Sequence, residues 1–412
     1  MPQFDTGNTG FMLLATSLVM LMTPGLAFFY GGLVGRKNVL SIMMQSFVSM
    51  GWTTVIWWAF GYSLCFSGGQ GGVIGNLDQA FLWGININTP SVANPSIPMF
   101  VFIAYQMMFA IITPALITGA FANRVKFSAY MIFLTLWLIF VYFPFVHMIW
   151  GGGLLAQWGV FDFAGGIVVH CTAGFAALAA VFYVGKRKLI SNIPHSIPLV
   201  ALGTGLLWFG WYGFNAGSEF AVDGVTANAF LNTDVAASVA GVTWLIIAWI
   251  TEKKPKFVGL MTGSVAGLAT ITPAAGYVTV TSAVIIGFTS GIVCYLAVAW
   301  KNRQGWDDAL DVWGVHGVGG FLGTIMLGIF GTAAVNIKGL AVWPVGLLEG
   351  GTSFFLKQSV TAIGTAAYAV GFTLLMLWLI NKIVPVRVTD EEQMLGLDEA
   401  LHGENAYESE FL

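Results

Sequence analysis

Eleven apolar stretches, each roughly 17–25 residues long, recur along this chain and constrain its fold more than any other feature. They lie near 10–33, 40–66, 97–122, 127–146, 163–184, 197–217, 231–250, 258–276, 280–300, 311–331 and 354–381. In lipid every backbone polar group must be satisfied internally, so such stretches form helices. Composition agrees: 57% of residues are hydrophobic and only 8% are charged, against about 25% in soluble domains. Abundant glycine and aromatic residues suit packed membrane helices. We therefore expect an all-α integral membrane protein, one large bundle over 1–384, followed by a tail over 385–412. The net charge of -3 is too small for a nucleic-acid partner. Cys65, Cys171 and Cys294 are odd in number and scattered through apolar stretches, which argues against disulfides, metal sites or a cofactor. The first stretch lacks a basic leader and is too long for a cleaved signal peptide.

Charge sidedness tests the count. With the N-terminus outside, the inner loops hold Arg36, Lys37, Arg124, Lys126, Lys186, Arg187, Lys188, Lys253, Lys254, Lys256, Lys301 and Arg303, and the C-terminal segment adds Lys382 and Arg387. That places 14 of the 16 Lys and Arg on one side, with only Lys338 and Lys357 outside. Adding or dropping a span would scramble this segregation, so the sequence favours eleven spans, N-out and C-in. Spans 1–5 and 6–10 form two sets of five, an odd number, so the second set runs in the opposite sense. The expectation is an inverted 5+5 repeat, halves about 1–190 and 191–350, plus one extra helix near 354–381.

One histidine occupies the last helix of each half. His170 follows Asp162 in DFAGGIVVH, and His316 follows Asp311 in DVWGVH. Ionisable groups at membrane depth are rare and mark function. At 1.5 Å per residue His170 lies about 12 Å from the outer end, and His316 about 7.5–15 Å from the inner end. Both approach the middle of a core about 30 Å thick.

The runs DFAGGIVVHCTAG (162–174), WFGWYGFNAGS (208–218) and DVWGVHGVGG (311–320) resemble signatures of the ammonium transporter (Amt/Rh) family, ammonium transporter branch. So do YQMMFAIIT (105–113), HMIWGGG (147–153) and GLDEALHGENAY (396–407). The resemblance spans essentially the whole chain. It implies a homotrimer in the cell membrane, each protomer carrying a pore lined by His170 and His316. It also implies recruitment of the cation at Phe109, Trp150 and Ser218, with Phe109 and Phe214 as a hydrophobic gate. Two departures are visible: Tyr105 stands where Phe is common, and Asn123 where an acidic residue often precedes the arginine.

The chemistry suits that implication. A neutral imidazole offers one donor and one acceptor. Two of them in an apolar tube can pass a small polar solute but cannot replace a metal cation's hydration shell. A bare ion there faces a Born cost of tens of kcal/mol, which loss of a proton removes for ammonium and not for potassium. The pair therefore suits an ammonia path, or separate routes for ammonia and proton. Aromatic faces at the outer mouth attract ammonium-type cations by about 0.5–2 kcal/mol each.

Asp162 begins a helix, where it can cap backbone N–H groups. We assign it a structural and electrostatic role near the outer site, and Asp311 the same role at the inner end. His147 at the outer surface, His195 in an inner loop and His402 in the tail are expected to be solvated or structural, His402 with a possible place in subunit contacts. The acidic tail carries Asp390, Glu391, Glu392, Asp398, Glu399, Glu404, Glu408 and Glu410 against Arg387. The resemblance makes it a docked regulatory segment touching a neighbouring subunit, near the surface that a PII-type nitrogen regulatory protein uses in prokaryotic relatives. We expect ammonium/ammonia transport, with methylammonium as a further substrate candidate, no enzymatic chemistry and no fused signalling domain after residue 412. The rival readings are an ammonium sensor with little flux and an Rh-like neutral gas channel.

Overall fold

The computed structural model describes residues 4–188 and 193–407. Glu408 and Glu410 lie outside the described residues. Among the described residues there is no β-strand, and the helices follow the apolar stretches. They are α1 (Thr6–Leu33), α2 (39–66), α3 (Met99–Ile117), α4 (127–149), α5 (Gly166–Val184), α6 (Ile197–Ala216), α7 (Gly224–Glu252), α8 (Phe257–Ile271), α9 (Val280–Gln304), α10 (Trp313–Phe330) and α11 (Thr352–Ile380). Ten candidate spans are long and apolar enough to cross a bilayer, and α8, at 15 residues, is shorter. The expected 258–276 stretch thus ends its α-helix at Ile271 and continues as turns.

Polar residues at the ends start these helices. Asp5 caps α1, accepting from the Asn8 N–H at 2.6 Å. Asp223 caps α7 from the Val225 and Thr226 amides, with Thr226 returning a bond to the Asp223 backbone. Such caps satisfy donors that have no partner inside the helix.

α1 packs along α6, α2 against α3, and α7 against α8. α5 crosses α10 at the centre, and glycine makes that crossing. A Cβ on Gly174 would fall on the Gly317 backbone, and one on Gly320 would stand 2.6 Å from the His170 Cβ. Small residues let membrane helices touch backbone to backbone. Four helices contain a π-turn, and the turns in α5 (Gly166–Cys171) and α10 (Trp313–Gly317) carry His170 and His316. Such bulges cluster at functional sites.

The tail folds back over the end of the bundle that carries Lys126, Lys186 and Lys188. Thr389 caps a short helix, Asp390–Leu395, through a reciprocal pair with Glu392. Asp398 then accepts from the Ser41 amide at 2.8 Å, capping α2, and the Leu397 amide donates to the Asn38 side chain at 3.0 Å. Arg387 donates to the Val184 and Lys186 carbonyls, Lys188 pairs with Asp390 at 2.8 Å, and the Tyr407 hydroxyl meets His195 at 2.9 Å. His402 lies edge-on to Phe127 with centroids 5.5 Å apart. These contacts are all within one chain.

Candidate functional site: two vestibules joined at paired histidines

His170 and His316 meet at the α5–α10 crossing. Their Nδ1 atoms are 3.3 Å apart and their rings lie nearly parallel at 21°, centroids 5.3 Å apart. They are only 1% and 4% exposed. An Nδ1–Nδ1 hydrogen bond needs one N–H and one lone pair, so the two rings hold different tautomers. The donor ring then carries a bare Nε2 and the acceptor ring an Nε2–H. The pair therefore offers one acceptor and one donor to a passing solute. His170 Nε2 is buried with no partner among the described residues. That ring stacks on Trp211, centroids 5.4 Å apart, and Trp211 is fixed by its indole N–H donating to Thr272 at 2.9 Å.

Around the pair runs a thin lumen of about 10 Å³, walled by Leu26, Ile112, Val169, Leu207 and Trp211 with Phe214 above. That is close to the least space that admits one water. A larger cavity lies beyond each end: one shares His316 with the lumen, and the other is separated from it by the Phe109–Phe214 pair. The vestibule on the side expected to face outward, called outer below, is about 590 Å³ and has Phe109, Trp150, Asp162 and Ser218 in its wall. The opposite one, called inner, is about 460 Å³, is reached past His316 and carries Lys301, Asp307, Asp308 and Asp311.

The sequence-predicted outer residues converge. Phe109 and Phe214 overlap with centroids 4.2 Å apart and planes at 34°, and Trp150 stands edge-on to Phe109 at 5.8 Å. Trp150 ends the α4 segment, and its indole N–H donates to the Asp162 carbonyl at 2.8 Å. Ser218 follows α6 and donates to the Phe214 carbonyl at 2.9 Å. Gln106, which motif reasoning passed over, lines the same vestibule with its amide oxygen buried and unpartnered among the described residues.

Asp162 acts as a cap. Its two carboxylate oxygens accept from the amides of Gly165, Gly166, Ile167 and Val168 at 2.7–3.0 Å. Burial pushes this carboxyl above its ordinary range, and those four N–H groups oppose the rise.

The inner counterpart corrects the expectation for Asp311. Asp308 is the cap, accepting from Val312 at 3.1 Å and Trp313 at 2.8 Å. Asp311 instead has φ +58° and pairs with Lys301 at 2.5 Å. Lys301 also donates to the Asp308 carbonyl at 2.8 Å. The signal was present in the sequence: Asp162 and Asp308 each precede their histidine by eight residues.

His147 is also corrected. It is fully buried rather than at the surface, its ring nitrogens 2.9 Å from the Cys65 and Gly69 carbonyls, a structural role. Beside the inner vestibule, Asp307 binds Arg187 at 2.7 Å and Arg124 at 3.4 Å. Burial raises the Asp307 carboxyl, and the two guanidiniums outweigh it and hold it below the usual range.

Fold and site together describe a multi-pass membrane protein built around a narrow central passage. The chain belongs to the ammonium transporter family, whose model, the Ammonium Transporter Family, matches residues 10–407. It is 44% identical over 404 residues to an ammonium transporter of Bacillus subtilis, covering 98% of both chains. Ammonium transporter Amt1 of Archaeoglobus fulgidus is also 44% identical, with 97% of this chain and 99% of that one covered. Among solved structures, Candida albicans Mep2 superposes with a TM-score of 0.89 at 36% identity, covering 98% of this chain and 91% of that chain. A structure described as a sensor Amt protein aligns with a TM-score of 0.87 at 30% identity, covering 96% of this chain and 98% of that chain.

Proposed function

We propose that this chain moves ammonium/ammonia across the cell membrane, without enzymatic chemistry, through a pore in each protomer of a homotrimer. It does so with eleven spans, N-out and C-in, the first ten as an inverted 5+5 repeat. The observation that carries the reading is the His170–His316 contact inside an apolar lumen between two vestibules. The cation is gathered against Trp150 and Phe109, with Ser218 as acceptor. Its positive charge cannot enter the lumen without the large desolvation cost of a bare ion. It gives up a proton to water at the outer site; ammonia passes the Phe109–Phe214 gate while the proton crosses by a separate route, so that net charge moves. The histidine pair then supplies one donor and one acceptor where all other lumen walls are apolar. Asp162 and Asp308 hold the two π-turns that aim the imidazoles. Residues 385–412 act as a cytoplasmic regulatory segment, beside which a PII-type nitrogen regulatory protein would dock.

The test is current on solid-supported membranes carrying proteoliposomes, after ammonium and potassium concentration jumps. Wild type should respond to ammonium and not to potassium. The double variant His170→Ala/His316→Ala should lose the selective ammonium response while eluting as the same oligomer. Unchanged selectivity and flux in that variant would refute the pore assignment. The likeness to a sensor Amt protein favours one second reading, an ammonium sensor. Absence of wild-type flux, by current and by ammonia-driven pH change inside the vesicles, would select it.

A further inference from the structure

Tyr105 lies on α3 one helical turn from Phe109, at the position where the sequence departs from the more common Phe. Its ring and its hydroxyl do different work. The ring stands edge-on to Phe109 at 5.0 Å and to Phe220 at 5.4 Å. The hydroxyl oxygen lies 2.8 Å from both the Gly213 and Phe214 carbonyls and 3.3 Å from Ser218 Oγ. Both carbonyls are acceptors only, so the single Tyr105 proton is committed to them. Toward Ser218 the phenol can then offer only a lone pair.

Consequently the Ser218 proton has two acceptors, Phe214 O and Tyr105 Oη, both on the buried side of the vestibule wall. With its proton turned inward, Ser218 presents lone pairs to the vestibule, the polarity an N–H cation needs. Tyr105 itself is 0% exposed and has no place in the vestibule wall. The close fit is built in: a Cβ on Gly217 would stand 2.7 Å from the Tyr105 hydroxyl oxygen.

We infer that Tyr105 is a positioning residue that sets Ser218 as an acceptor and ties it, through the Phe214 carbonyl, to the gate. This rests on the outer-site reading above. A Phe at this position would keep the ring contacts and lose one inward acceptor and one tether on Phe214. It would leave the outer site present but less ordered.

The test is a double-mutant cycle in proteoliposomes, reading KM and maximal current for ammonium jumps. Tyr105→Phe should raise KM roughly fivefold, the effect of about one net hydrogen bond, with maximal current kept within about twofold. Ser218→Ala should raise KM by itself, and adding Tyr105→Phe to it should change KM no further. Because KM does not depend on the amount of protein inserted, reduced expression of a variant leaves the readout intact. Equal fold-changes from Tyr105→Phe in both backgrounds would overturn the inference, as would an unaltered KM in the single variant. A KM indifferent to Ser218→Ala would overturn the outer-site reading, and this inference with it.

Discussion

Asp308, and not Asp311, should be the inner carboxylate on which the histidine pair depends. Replacing it with Asn keeps one acceptor oxygen and turns the other into an NH₂ facing a backbone N–H. One of the two capping bonds, to Val312 or Trp313, is lost. A hydrogen bond to a charged group contributes about 1.5–3 kcal/mol, so Asp308→Asn should cost about that much stability. Asp162→Asn loses two of four such bonds and should cost about twice as much, roughly 3–6 kcal/mol. Asp311→Asn removes the charge of a carboxylate that is 33% exposed; its partner Lys301 is only 4% exposed but keeps the Asn oxygen, the Asp308 carbonyl and the nearby Asp308 charge. Its cost should therefore stay below that of Asp308→Asn, at about 1 kcal/mol, the loss of one charge-assisted component. The assay is thermal stability of the purified oligomer by size exclusion after heating, alongside ammonium current. The ranking Asp162→Asn, then Asp308→Asn, then Asp311→Asn is the expected outcome, with current following the same order. An Asp308→Asn protein as stable and active as wild type, beside a crippled Asp311→Asn, would refute the assignment.

Trp150→Leu removes an aromatic face from the outer vestibule and should raise the ammonium KM by about 2- to 30-fold, the equivalent of one cation–π contact. A concentration dependence identical to wild type would count against that site. Asp307→Asn leaves Arg124 and Arg187 without their shared carboxylate and should cost about 3–5 kcal/mol at pH 7. Because the folded Asp307 carboxyl is held below its ordinary range, its contribution is complete above the unfolded value near about pH 4 and disappears as pH falls through the folded one. Melting temperatures of the two proteins should therefore differ at pH 7 and converge well below about pH 4. A gap that persists there would contradict the charge assignment.

Hydropathy made most of the helices legible, because in lipid a long apolar run has no alternative to helix. The histidines were equally legible from their depth along single helices, and the outer aromatics from the family motifs alone. The misassigned cap has a physical cause. Three acids crowd into 307–311, and periodicity cannot say which of them faces the first free amides of α10. Asp311 adopts a left-handed backbone that removes it from that position, something its neighbours in sequence do not signal. The Arg124–Asp307–Arg187 cluster joins residues 183 and 120 positions apart, beyond any local pattern. His147 was misplaced because a residue near the end of a span looks wet until the glycine-rich segment around Gly69 closes over it.

The glycine crossing bears on what kind of machine this chain can be. Where Gly174 meets Gly317, main chain rests on main chain, with no side chain between to act as a cushion. A carrier that alternately opens to each face must pivot about its substrate site, and a pivot needs compliance there. Here the spacing between the two imidazoles is indexed by the peptide backbone, the stiffest ruler available to a protein. On the proposed pathway, the Phe109 and Phe214 rings at the threshold are side chains, and their rotation would leave the crossing undisturbed. The throughput of such a device would be set by how often small doors swing rather than by how fast two halves of the molecule rock.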